Sequence, residues 1–429
     1  MSMAVTKQQT GRVSTTKTIV GTGIGNAVEW YDWAIYATFT PFIASQLFSK
    51  ADPASAVLST LAIFAVGFVA RPFGGFLFGW IGDRVGRKTS MTLAVGLASL
   101  GSLMIGIAPT FASIGAWASL MLLVARLVQG LAHGGELPSS QTYLSEMAPR
   151  EHRGFWATLI YTSGTVGILF GTLLGAVLNM TLTAEAMNAW GWRIPFLLGA
   201  AMGLYALIMR SRLHETDAFE GESLAEKRAP LWPQIVRHRK QALQVIGLTV
   251  GLTVIYYVWG VVAPSYATTA LKIDRGEALW AAVIANIVFI AALPFWGKLS
   301  DRIGRKKVLW SGAIGSAAMH FPMTWLLKDS AWQLAVGMSV MLIFIAASAA
   351  IVPAVYAELF PTSIRTVGVG VPYSICVAVF GGTAPYLQQW LGTTMGMPQL
   401  FNIYAVVLLA VSAAFVFTIP ETKGKDLTH

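Results

Sequence analysis

Gly79-Trp80-Ile81-Gly82-Asp83-Arg84-Val85-Gly86-Arg87-Lys88 and Gly297-Lys298-Leu299-Ser300-Asp301-Arg302-Ile303-Gly304-Arg305-Lys306 share one pattern, and each directly follows a long apolar run. A glycine that lets two helices touch, then an aspartate, then arginines just past the hydrocarbon edge, describes a short polar turn between two transmembrane helices. The two copies stand half a chain apart. A second pair, Glu146-Met-Ala-Pro149-Arg-Glu-His-Arg153 and Glu358-Leu-Phe-Pro361-Thr-Ser-Ile-Arg365, repeats Glu, Pro and Arg in the same spacing at nearly the same offset. The chain is therefore an internal duplication of a multi-helix membrane unit, an arrangement that secondary transporters use.

Composition agrees. Hydrophobic residues make up 55% of the chain and charged residues only 12%, and the mean hydropathy is +0.62, far from a soluble domain. The net charge of +10 sits in the gaps between apolar segments, so it reads as a topology signal and not as a nucleic-acid surface. The single cysteine, Cys376, lies in an apolar run and excludes a disulfide framework or a Cys-based metal site. The first apolar stretch continues through Glu29 and Asp32 without a small-residue cleavage site, and is read as a first membrane helix.

Runs long enough to cross a core of about 30 Å lie at 18–44, 57–80, 90–109, 117–140, 155–179, 194–210, 241–269, 278–297, 308–327, 333–356, 367–391 and 398–419. The expected fold is an all-α integral membrane protein with twelve transmembrane helices in two pseudo-symmetric six-helix halves, 1–210 and 241–429, joined by a polar linker at 211–240. With the N-terminus placed in the cytoplasm, the far side holds only Lys50, Arg193, Lys272, Arg275 and Lys328, while Arg71 and Arg126 are the only cations inside the runs. The positive-inside rule then puts both termini of this multi-pass plasma-membrane protein in the cytoplasm.

A charge near the middle of a membrane helix costs at least about 2.5–3.5 kcal/mol, so each one asks for a reason. Glu29, Asp32, Arg71, Arg126 and Glu136 stand out, with His133 as a further titratable group. Asn26, Glu29 and Trp33 form one stripe of the first run, with Asp32 close to the same face; Arg126, Gln129, His133 and Glu136 follow a 3–4 spacing along the fourth. Glu29, Asp32 and His133 are the candidates for proton coupling. Candidates for substrate binding are Arg126, Arg71, Asn26, Tyr31, Gln129, Tyr256 and Tyr257. The Arg71 fork can hold a carboxylate bidentately, or pair internally with Asp32 or Glu29. Asp83, Arg84, Arg87, Glu136, Glu146, Arg153, Asp301, Arg302, Arg305, Glu358 and Arg365 are expected to form ion pairs that close the cytoplasmic mouth, although charges so placed also serve topology alone.

The doubled G-x-x-x-D-R-x-G-R-K, the Arg126-x-x-Gln129-Gly130-x-x-x-Gly134-Gly135-Glu136 stretch and Pro420-Glu-Thr-Lys-Gly424 resemble the major facilitator superfamily over essentially the whole chain. Gly25-Asn26-Ala-Val-Glu29-Trp30-Tyr31-Asp32, Arg71-Pro72-Phe-Gly74-Gly75 and Trp190-Gly-Trp-Arg193-Ile-Pro195-Phe196 resemble its metabolite:proton symporter family. The resemblance implies proton-coupled import of a small organic acid, such as a dicarboxylate or oxo acid, by alternating access. Symport of a zwitterionic osmolyte such as proline or betaine, or of a sugar, is the alternative. A sugar porter is expected to carry a glutamine-rich seventh helix followed by asparagine, and Leu248 to Tyr266 contains neither residue. An enzyme is disfavoured because no nucleophile–base set, P-loop or zinc-like spacing is present. The expected partners are a carboxylate, protons and the bilayer, with no cofactor and no metal, for a chain working as a monomer.

Overall fold

In hydrocarbon a backbone amide finds partners only within a helix or a closed barrel, and this chain takes the helical solution. The computed structural model describes residues 15–49, 53–220, 233 and 236–427. They form twelve long helical segments: α1 (Thr15–Leu47), α2 (Pro53–Arg84), α3 (Arg87–Gly106), α4 (Ala116–Met147), α5 (Arg153–Thr181), α6 (Ile194–Ser211), α7 (239–270), α8 (Arg275–Ile303), α9 (Arg305–Leu326), α10 (331–359), α11 (365–394) and α12 (Pro398–Thr418). Among the described residues, nine helices are long and apolar enough to cross a membrane by length and composition alone. Large apolar side chains such as Val69, Phe73, Trp117, Met180 and Phe417 stand exposed around the bundle, where only lipid can cover them. The central part of the linker, with Glu222, Glu226, Lys227 and Arg228, lies outside the described residues, as does Lys50.

The apolar runs agree with these helices to within a few residues at most ends. The larger differences fall at one end of the bundle, where α2 and α4 reach 32 residues each and carry their charged motifs beyond the hydrocarbon. Packing repeats in register. The contacts of α2 with α4, α3 with α4 and α6, and α1 with α5 and α6 recur as α8 with α10, α9 with α10 and α12, and α7 with α11 and α12. The two sets meet where α2 packs on α11 and α5 on α8.

Small residues set the closest approaches. A Cβ on Gly74 would lie 2.0 Å from the Leu131 carbonyl oxygen, and one on Gly134 2.0 Å from that of Arg71, so α2 and α4 are in backbone contact and Arg71 is brought beside α4. Two helices depart from a regular ladder near the centre. α7 opens into a π-helical turn at Tyr257–Val262, and α11 does so at Val377–Gly381. Such turns insert one residue and re-aim the side chains around them.

Candidate functional site

Five ionisable side chains from α1, α2 and α4 are buried together at the centre of the first six helices: Glu29, Asp32, Arg71, Arg126 and His133 are each no more than 3% exposed. Glu29 contacts His133 Nδ1 through a carboxylate oxygen. Asp32 lies beside Ser102 and within reach of the Arg126 charge. Arg126 donates to Gln129 Oε1 at 2.7 Å, and Gln129 donates in turn to Ser102 Oγ at 2.8 Å. Aromatic faces complete the setting. The Arg126 guanidinium carbon sits 4.2 Å from the ring centres of both Trp33 and Tyr36, and that of Arg71 sits 4.3 Å from Trp33 and 3.9 Å from Phe68. Interactions of this kind are strongest when desolvated, as here.

From the last six helices, α7 meets this cluster at its π-helical turn. Arg71 Nη1 donates to the Tyr257 hydroxyl at 3.1 Å, and Tyr256 packs edge-on against Trp30 and Tyr161. A gap of about 10 Å³, room for about one water molecule, lies here between the two sets of helices, lined by Trp30, Tyr161, Thr253, Tyr256, Tyr257 and Tyr373 among others. Its walls are ring faces and hydroxyls.

At the charged end the two sets are locked together by pairs of contacts that mirror one another. Asp83 on α2 accepts from the backbone N–H of Thr366 and Val367 at the start of α11, at 3.0 and 2.9 Å. Asp301 on α8 accepts from Gly154 and Phe155 at the start of α5, at 2.8 and 2.9 Å. Each aspartate thus caps the positive end of a helix from the other set. Their motif glycines permit it: a Cβ on Gly79 would lie 2.9 Å from Val367 Cα, and one on Gly297 2.8 Å from the Gly154 carbonyl oxygen. Ion pairs follow the same symmetry. Glu146 meets Arg365 at 2.5 Å and Arg87 at 3.4 Å, while Glu358 meets Arg153 at 3.0 Å and Arg305 at 3.4 Å.

Comparisons with known proteins fit this architecture. The family model for sugar (and other) transporters matches residues 18–229 and again 220–429, once for each set of six helices. The alpha-ketoglutarate permease of Escherichia coli is 36% identical over 95% of this chain and 94% of its own length. A putative proline/betaine transporter of Staphylococcus aureus is 34% identical over 96% and 90%. The proton:xylose symporter XylE, bound to 6-bromo-6-deoxy-D-glucose, superposes with a TM-score of 0.80 at 19% identity, covering 96% of this chain and 97% of that one.

The chain belongs to the sugar (and other) transporter family.

It is a multi-pass membrane transporter with the major facilitator fold, and not an enzyme. Within this transporter several expected site residues have other contacts. Asn26 donates to the Ile160 carbonyl at 2.5 Å and to Ser163 Oγ at 2.9 Å, tying α1 to α5. Tyr31 donates to the Pro195 carbonyl at 2.8 Å, and its ring belongs to the apolar core between α1 and α6. Glu136 does not join the network at the charged end. It forms a bidentate pair with Arg210, at 2.5 and 2.6 Å, inside the first six helices. Arg210 corrects the count of cations inside the runs: it is fully buried, and also donates to the carbonyls of Gly21, Thr22 and Met91. In the doubled motif, Arg87 and Arg305 are fully buried in these ion pairs, whereas the Arg302 side chain is exposed and Arg84 is half-buried.

One symmetric feature of the transporter has a sequence signal that was readable: Glu-Thr follows both α6 and α12. Glu215 accepts from the Lys88 N–H at 3.1 Å, and Glu421 from those of Arg305 and Lys306 at 2.8 and 3.2 Å, each beside a motif glycine with positive φ, Gly86 or Gly304. Thr216 and Thr422 donate to Glu146 and Glu358 at 2.5 and 2.6 Å. Burial pushes the Glu215 carboxyl above its ordinary value. Burial acts on Glu421 too, but there the N–H groups of Arg305, Lys423 and Lys306 outweigh it and hold the carboxyl below.

Proposed function

We propose that this transporter is a symporter that carries a small organic acid together with protons into the cell by alternating access. The observation that carries this reading is the central juxtaposition of two buried carboxylates, Glu29 and Asp32, with two guanidinium groups, one of which, Arg71, reaches across to Tyr257 of the other set of helices. Asp32 beside Arg126, and Glu29 against His133, give a proton two places to be held. Arg71, bonded to Tyr257 at the seam between the two sets of helices, supplies a fork for the substrate's carboxylate. Asp83, Asp301 and the four Glu–Arg contacts form the gate. On the positive-inside rule that end is cytoplasmic, both termini lie there, and 1–210 and 241–429 are the moving halves of a monomer in the plasma membrane. The named substrate of the alpha-ketoglutarate permease supports the organic-acid reading, and the likeness to XylE, a proton:xylose symporter, supports proton coupling.

Radiolabelled uptake into vesicles, with and without an imposed pH gradient, tests it. Small carboxylates should accumulate only with the gradient and compete with one another, and hexoses should not compete. Competition by hexoses and not by acids would replace this reading with a sugar porter.

A further inference from the structure

Resting on the reading of Arg71 as the fork for a substrate carboxylate, we propose that His320 is a positioning residue of the transport site: it accepts a hydrogen bond from Trp259, holds α7 in its π-helical turn, and so sets the Tyr257 hydroxyl against Arg71.

His320 on α9 is fully buried, and Trp259 on α7 is 2% exposed. Trp259 donates its indole N–H to His320 Nδ1 at 3.2 Å, with the rings edge to face and their centres 6.1 Å apart. An indole nitrogen can only donate. Nδ1 is therefore the acceptor, the ring proton stands on Nε2, and Nε2 donates to Asn402 Oδ1 on α12 at 3.2 Å. The imidazole is held on both sides and ties α7 to α9 and α12. Gly337 on α10 leaves room for the indole: a Cβ there would lie 3.2 Å from Trp259 Cζ3.

Trp259 stands inside the π-helical turn Tyr257–Val262. Two residues apart on a helix, Tyr257 and Trp259 point to nearly opposite sides. Tyr257 faces the first six helices, where its hydroxyl accepts from Arg71 Nη1 at 3.1 Å. It also meets the other irregular helix, since a Cβ on Gly381, at the end of the π-helical turn of α11, would lie 3.0 Å from Tyr257 Cε2. A π-helical turn holds one residue more than the regular ladder, so its loss would rotate the two parts of α7 against each other by about 100°. Tyr257 and Trp259 could then no longer keep both partners. The bond to His320 resists that rotation, because a buried indole N–H left without an acceptor is unfavourable. Arg71 and His320 thus grip α7 from opposite sides, and the aim of Tyr257 depends on a residue remote from the substrate.

The test is uptake by the purified full-length chain in proteoliposomes under a pH gradient, with labelled glycine betaine, benzoate, 2-oxoglutarate and citrate, each variant being read on whichever of these the wild type accumulates fastest. His320→Leu, which removes the acceptor, and Trp259→Phe, which removes the donor and keeps a ring, should each raise KM about tenfold with a smaller change in kcat. The double variant should be no worse than the worse single one, because both delete the same bond. His320→Asn, which keeps an acceptor near the Nδ1 position, should restore a KM close to the wild-type one. On a Tyr257→Phe background, adding His320→Leu should leave KM unmoved. A wild-type KM in His320→Leu, with only a lowered thermal midpoint, makes His320 a packing residue and overturns the proposal. Additive effects of His320→Leu and Trp259→Phe overturn it as well, as does a further rise in KM on the Tyr257→Phe background. In each of these cases the symport reading stands. Failure of every carboxylate to move overturns both. If His320→Leu does not fold, Trp259→Phe decides, and an unchanged KM in that variant overturns the proposal.

Discussion

Asp32 and Glu29 are separated by less than one helical turn, yet their surroundings differ. Asp32 has a guanidinium and a hydroxyl beside it, and Glu29 has an imidazole. If both carry coupling protons, Asp32→Asn and Glu29→Gln should each abolish gradient-driven accumulation while sparing some substrate exchange, because neutral isosteres can bind substrate but cannot cycle a proton. Accumulation at the wild-type level in both variants would remove α1 from the coupling. Glu136 predicts a different phenotype. Its bidentate partner Arg210 is fully buried, so Glu136→Gln leaves an uncompensated charge at a cost of about 3–5 kcal/mol. It should lower the thermal midpoint of the purified protein, with little change in substrate KM for the protein that remains folded. A KM shift at an unchanged midpoint would return Glu136 to the transport path. The sequence exposed the central acids and arginines because a charge inside a long apolar run is conspicuous. It hid Arg210, which stands at the end of its run two residues before Arg212, where a cation looks like an ordinary flank. Helical spacing also put Asn26 and Tyr31 near the right stripe without saying which neighbour each would meet. Trp33 shared the stripe of Asn26 and Glu29 but, like Phe68, gave no sign of its arginine neighbours, since aromatics are common throughout membrane helices.

At the scale of the helices, the informative elements are α2 and α8 with the starts of α11 and α5. Both aspartates accept two N–H groups at a helix N-terminus, bonds worth about 1.5–3 kcal/mol each when one partner is charged. Asparagine can accept only through one oxygen. Asp83→Asn and Asp301→Asn should therefore each shift the balance toward an open charged end by about 10–100-fold and slow turnover, with substrate affinity little changed. Accessibility labelling of cysteines placed at the two mouths measures the shift, and an unaltered pattern would count against the aspartates as latches. Gly79→Ala should move the same labelling in the same direction, since its Cβ would crowd Val367 across the seam. These helices and their motif turns were legible because length, hydropathy and a repeated decapeptide all mark them. The π-helical turns in α7 and α11 were not. One inserted residue leaves the apolar pattern intact, so nothing in the hydropathy of these runs marks where the turn falls.

For the whole molecule, the duplication is visible as geometry: each contact that one set of helices makes across the charged end has a counterpart on the other, so the two sets meet there along one seam. Residues 422–427 lie along that seam. The Lys425 carbonyl accepts from Arg153 at 2.8 Å, and the Leu427 carbonyl accepts from Arg365 at 3.1 Å and Thr362 at 3.0 Å, so the tail touches both sets of helices. Deleting 424–429, which spares Glu421 and Thr422, should raise labelling at the charged mouth and speed its opening. Labelling identical to that of the full chain would make the tail a passenger. A purification handle or fluorescent reporter fused after His429 would pull on this same stretch of backbone, so apparent turnover in such fusions should depend on spacer length, and untagged or N-terminally tagged protein is the proper standard for kinetic work.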